Sequence, residues 1–136
     1  EIVKYEELLK ANPVDVICLG IGENGHIAFN DPAVADFNDP HWVKTVDLDT
    51  MCRMQQVGEG WFKSLDEVPK KAVSLTITGI MNCKVISCVV PDERKANAVK
   101  DALYGEISTA CPASILRKHQ NATLFLDPSA ASKISE

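Results

Sequence analysis

Gly20-Ile21-Gly22-Glu23-Asn24-Gly25-His26-Ile27-Ala28-Phe29-Asn30-Asp31-Pro32 is the stretch from which the fold of this chain is read. It follows an apolar run, residues 14–19, whose length and composition predict a buried strand. Three glycines, a histidine, two acids and a proline then arrive within a dozen residues. A strand that ends in a glycine-rich loop bearing His and carboxylates is a common way for α/β proteins to build a site. Ligands in such folds sit at the carboxyl ends of parallel strands.

Outward from this loop, strands and helices alternate. A helix is predicted over residues 1–10, ahead of the Asn12-Pro13 break. Residues 31–42 carry Pro32 and Pro40 without a period and read as an ordered loop. Residues 43–48 alternate as a short strand. A helix follows over 49–62, capped by Asp49 or Thr50 and weakened near its end by Gly58 and Gly60. After a connector containing Pro69, strands are predicted at 72–78, 84–90 and 122–126, with a turn of helix at 79–82. A helix over 93–104 ends at Gly105, and a shorter one covers 113–119. The apolar strands and intervening helices predict a three-layer α/β/α fold with a mainly parallel sheet and right-handed crossovers. The chain opens with a helix and no leading strand, in the middle of an α/β alternation. It is therefore expected to be incomplete as a fold.

The chain has 136 residues, 46% of them hydrophobic and 24% charged, and a formal net charge of -5. That is the balance of a soluble globular domain. No Lys/Arg-dense stripe meets the demands of a nucleic-acid partner. No apolar stretch approaches a membrane span, and no signal peptide is visible. The five cysteines (Cys18, Cys52, Cys83, Cys88 and Cys111) include no CxxC pair and point to a reducing, cytoplasmic setting. The scattered histidines and cysteines offer no metal-ligand spacing, and no cofactor is implied. Homo-oligomerisation is left open.

Within the loop, His26 exchanges a proton near neutral pH and is the natural acid/base. Its ring needs an orienting partner, and Asn24, Glu23 and Asp31 all lie within five residues. Gly22 and Gly25 are expected to let the backbone approach a ligand or adopt positive φ. On spacing alone, a surface His in a glycine turn with no task is an equal alternative.

The string itself closely resembles the signature of the glucosamine-6-phosphate deaminase/isomerase family, G-x-G-x-[DN]-G-H-I-[AG]-F-N-E-P. Ten of the thirteen positions match: Gly20, Gly22, Asn24, Gly25, His26, Ile27, Ala28, Phe29, Asn30 and Pro32. Looser likeness continues through Val43-Lys44-Thr45-Val46, Val68-Pro69 with Ala72, Arg94-Lys95-Ala96 and His119, and corresponds to the family's second half. The resemblance implies conversion of glucosamine 6-phosphate and water into fructose 6-phosphate and ammonia, by aldose–ketose isomerisation and loss of the amine. It makes His26 the acid/base that opens the sugar ring, with Asp31 and Asn24 as its catalytic partners. Asp31 stands where most members have Glu, so the carboxylate is one methylene shorter and a small backbone shift is expected.

The resemblance also makes Lys95 a phosphate-binding residue, in the first turn of the 93–104 helix. Arg53 is a candidate for the phosphate-contacting Arg of a mobile lid, acting from an earlier helical turn than usual ahead of Trp61-Phe62. It reads equally as an exposed helix residue. Lys44 matches a position that binds an allosteric ligand in some members. Trp42 replaces its basic neighbour, so no allosteric control is predicted. His41 and His119 are expected to be structural. The family's glycine/serine phosphate loop and proton-abstracting Asp belong to its first half and have no counterpart here. Two other readings compete. 6-Phosphogluconolactonases share the fold and a similar His loop but continue with Ser-Leu-Phe-Pro, against Phe29-Asn30-Asp31-Pro32 here. A sugar-phosphate binding module without catalysis is the other.

Overall fold

The computed structural model describes residues 1–134. Its sheet is built from β1 (Val16–Leu19), β4 (Val85–Val90) and β5 (Ala122–Leu126), all parallel, in the order β1-β4-β5. The register pairs Leu19 with Cys88 and Cys88 with Leu124, so the three strands end close together. The other two strands, β2 (Val43–Asp47) and β3 (Lys71–Leu75), do not join it. They form a separate antiparallel ribbon, with Val43 opposite Leu75 and Asp47 opposite Lys71. Their polar-apolar alternation carries the reason. A strand with one wet face suits an antiparallel pair, whereas strands of a covered parallel sheet are apolar throughout.

The helices are α1 (Ile2–Ala11), α2 (Thr50–Gly58), α3 (Ile77–Met81) and α4 (Ala96–Tyr104). Asp49 caps α2, its carboxylate accepting from the Cys52 N–H at 2.7 Å. The helix stops at Gly58 rather than reaching Phe62, and Gly60 takes a positive φ of 82° just beyond it. Thr76, expected to lie within a strand, instead caps α3 by accepting from the Gly79 N–H. Residues 93–95 and 112–118, both expected as α-helix, are 3-10 turns. Pro112 supplies no N–H at the head of the second, and Asp92 opens the first by accepting from the Arg94 N–H.

The core lies on one face of the parallel sheet. Ile86, Cys88 and Val90 of β4 meet Ala98, Val99 and Ala102 of α4, together with Ala113, Ile115, Ile21 and Ile27. On the opposite face Val16 is 54% exposed, Val89 53% and Phe125 52%, with Cys18 and Val85 also open. Two layers of the three are therefore present on this sheet.

α1 docks elsewhere, against β2, through a buried acid. Glu6 accepts from the Trp42 N–H at 3.0 Å and pairs with Lys10 at 2.6 Å. His41 also reaches Glu6, at 3.3 Å, and His119 joins the carbonyl of Cys83 to the N–H of Asn121, so both histidines stitch the fold together.

Candidate active site

The loop after β1 is fixed both by its own residues and by the 112–118 turn. Gly25 has φ 82°, and its carbonyl accepts from the Ala113 N–H at 2.9 Å. A Cβ on Gly25 would come within 2.6 Å of the Cys111 Sγ, so glycine is required there by backbone and space together. A Cβ on Gly22 would fall inside the His26 imidazole, because the ring lies directly over that peptide. The space at both glycines is filled by protein. Their work in this structure is to seat the ring and the loop.

Asn24, His26 and Asp31 form one cluster. His26 Nδ1 lies 2.7 Å from Asn24 Oδ1 and 3.0 Å from Asp31 Oδ1. Asn24 Nδ2 donates to the same Asp31 oxygen at 2.8 Å, and its Oδ1 also accepts from the His26 N–H at 3.1 Å. Both neighbours of Nδ1 are acceptors, which assigns the proton of the neutral ring to Nδ1 and leaves Nε2 as the reactive nitrogen. The aspartate reaches the ring despite its shorter side chain. Its backbone is anchored by a turn in which the Asp31 carbonyl accepts from the N–H groups of Val34 and Ala35. Next to it Asn30, fully buried, donates to the carbonyls of Ile27 and Leu75 and ties the loop to the end of β3. Burial pushes the Asp31 carboxyl up in pKa, but hydrogen bonds from His26 and Asn24 outweigh it and hold the group below the ordinary carboxylate range.

Asn24 and His26 line an open hollow of about 260 Å³ together with Glu23, Met51, Cys52, Met54, Gln55 and Arg94, and Asp31 is buried away from it. The hollow is bounded by the segments that follow β1 and β4 and by α2. This places it at the carboxyl ends of adjacent parallel strands. Lys95 follows Arg94 in the turn before α4 but does not line the wall. Arg53 points elsewhere: its guanidinium donates to the carbonyls of Leu65 and Val68, which ties α2 to the connector ahead of β3. Lys44 is likewise engaged by the Val34 carbonyl and by Asp39 at 3.0 Å.

Sequence reasoning missed Cys52, and it singled out Arg94 only as part of the helix start. The Cys52 thiol contacts the Asp31 carboxylate from α2, and burial with that nearby negative charge raises its pKa to about 12. For Arg94, the signal available was its position beside Lys95, one residue nearer the strand end.

A His-acid cluster thus sits at the carboxyl edge of a parallel α/β sheet, with Arg94 on the wall of the same hollow. The chain belongs to the family of glucosamine-6-phosphate isomerases/6-phosphogluconolactonase, whose pattern matches residues 1–125. It is 43% identical over its whole length to a glucosamine-6-phosphate deaminase of Bacillus cereus, covering 50% of that protein. Among solved structures, a monomeric glucosamine-6-phosphate deaminase superposes with a TM-score of 0.90 at 36% identity, over 98% of this chain and 54% of that one. The 6-phosphogluconolactonase of Trypanosoma brucei shares the fold, with a TM-score of 0.74 at 20% identity over 98% of this chain and 52% of that one. The chain thus spans about half the length of the curated relatives it matches.

Proposed function

We propose that residues 1–136 form the carboxy-terminal half of a hexosamine-6-phosphate deaminase/isomerase domain, a cytoplasmic enzyme that converts glucosamine 6-phosphate and water into fructose 6-phosphate and ammonia. The observation that carries this reading is the clamped imidazole: Nδ1 is held by Asn24 and Asp31 while the ring borders the hollow.

Ring opening of a cyclic sugar breaks the bond between C1 and the ring oxygen. The anomeric hydroxyl loses a proton and the ring oxygen gains one. A neutral imidazole with Nδ1–H pinned has a free Nε2 lone pair for the first transfer. The imidazolium so formed is stabilised by the Asp31 carboxylate and returns the proton to the ring oxygen. This reading gives the phosphate to Lys95, in the turn beside the hollow. Isomerisation also needs a base at C2, which this reading assigns to the other half of the domain.

The lactonase reading fits the shared fold, but Asn30 and Asp31 favour the deaminase. Those two residues build the loop's anchor and the ring's clamp. In the complete enzyme, His26→Gln is expected to lower turnover of cyclic glucosamine 6-phosphate by about a hundredfold or more with the melting temperature kept. Ammonia release and calorimetry check this. Hydrolysis of 6-phosphogluconolactone without ammonia release from glucosamine 6-phosphate would overturn it.

A further inference from the structure

Glu23 has no role in the chemistry above, yet it stands on the rim of the hollow opposite Arg94. The two side chains meet at 3.6 Å, 45% and 57% exposed respectively. Arg94 is held from behind as well. Its Nε and Nη2 donate to Asp92 Oδ2 at 3.0 and 2.8 Å, and Asp92, two residues beyond β4, has a positive φ of 87°. The guanidinium is therefore oriented before any ligand arrives, with Nη1 turned to Glu23. Glu59, beyond the end of α2, also acts on this charge. Two carboxylates thus contact this arginine, and a third acts on it only through its charge. Of these, Asp92 is bound by three hydrogen bonds to Arg94, and Glu59 is occupied by Gln55 and Trp61. Among the described residues, Glu23 has the Arg94 contact as its ion pair.

An exposed carboxylate-guanidinium pair of this kind contributes little and is easily exchanged. A phosphate dianion offers twice the charge and three acceptor oxygens to the same donors. We propose that Glu23 and Arg94 form a ligand-operated clasp across the mouth of the hollow. The phosphate of the substrate takes Arg94 from Glu23, and the released carboxylate swings clear. Glu23 is the placeholder that keeps Arg94 aimed inward, and Arg94 is a phosphate-binding residue additional to Lys95. The proposal rests on the sugar-phosphate reading of this hollow, but its test does not require turnover.

Removing the competing carboxylate should tighten phosphate binding, and removing the guanidinium should weaken it. In the complete enzyme, Glu23→Gln is expected to lower the Kd for inorganic phosphate by about threefold. Arg94→Gln is expected to raise it by about tenfold. The gain from Glu23→Gln should shrink as salt rises from 0.05 to 0.5 M, roughly as screening requires. KM for glucosamine 6-phosphate should follow the same two directions. Phosphate affinities unchanged in both variants would overturn the clasp. So would a Glu23→Gln enzyme that binds glucosamine 6-phosphate more weakly but phosphate as before, since Glu23 would then be holding the ammonium group. Tightened phosphate binding without any ammonia release would uphold the clasp while removing the deaminase reading.

Discussion

At the scale of single residues, the site is a problem of seating one ring. The His26 imidazole lies where a side chain on Gly22 would have to be. Gly22→Ala is therefore expected to push the ring off Asn24 and Asp31, at a stability cost of about 1–3 kcal/mol. Turnover should fall far more than the melting temperature does. A crystal structure of the variant with the imidazole still 3 Å from Asp31 would contradict this. The cysteines make a second residue-level prediction. Burial pushes Cys88 up to about 12, and Cys52 reaches the same range with Asp31 beside it. Cys18 is exposed. In dilute residues 1–136 prepared alone, iodoacetamide at pH 8 should alkylate Cys18 first and leave Cys52 and Cys88 untouched, as peptide mass mapping would show.

At the scale of elements, the polar hold of α1 on the ribbon runs through one buried carboxylate. Hydrogen bonds from Lys10 and from the Trp42 N–H lower the Glu6 pKa to about 2 from an ordinary 4.5. A group depressed in this way stabilises the folded state fully above the unfolded value and loses that contribution as pH falls through the folded one. Amide protection in α1 is expected to decline between pH 4.5 and 2 while that of β4 persists, and hydrogen exchange would detect it. Equal loss in both elements would show that α1 is not released separately. The elements also mark where sequence patterns were legible. Apolar runs gave β1, β4 and β5 to within two residues, because continuous burial leaves a continuous hydrophobic string. The pairing of β2 with β3 was not legible. Alternation tells which face is wet but not which strand lies alongside.

At the scale of the whole molecule, the parallel sheet has one covered face and one bare one. Val16, Val85, Val89 and Phe125 project from alternate positions of neighbouring strands into solvent. Such a contiguous apolar surface is unusual on a free-standing domain. β1, among the described residues, is paired along one edge only. Residues 1–136 prepared alone are expected to bind a hydrophobic dye such as anilinonaphthalene sulfonate and to self-associate. Phe125→Lys with Val89→Lys should reduce both, with little effect on the core face. Absence of dye binding together with a monomeric sedimentation profile would contradict this.

The sequence by itself determined the chemical vocabulary of the site. Residues 20–32 are contiguous, so the glycines, the imidazole and its two partners are brought together by one turn of chain, and local order is enough to read them. The tertiary structure decided what stands opposite them. Arg94 reaches Glu23 across some seventy residues of chain, and Cys52 reaches Asp31 from a helix whose position follows from the antiparallel ribbon. Arg53 is drawn away to backbone carbonyls at Leu65 and Val68. Composition and periodicity record burial one residue at a time. Contacts between distant segments depend on how the elements pack, and a single sequence carries no local trace of that.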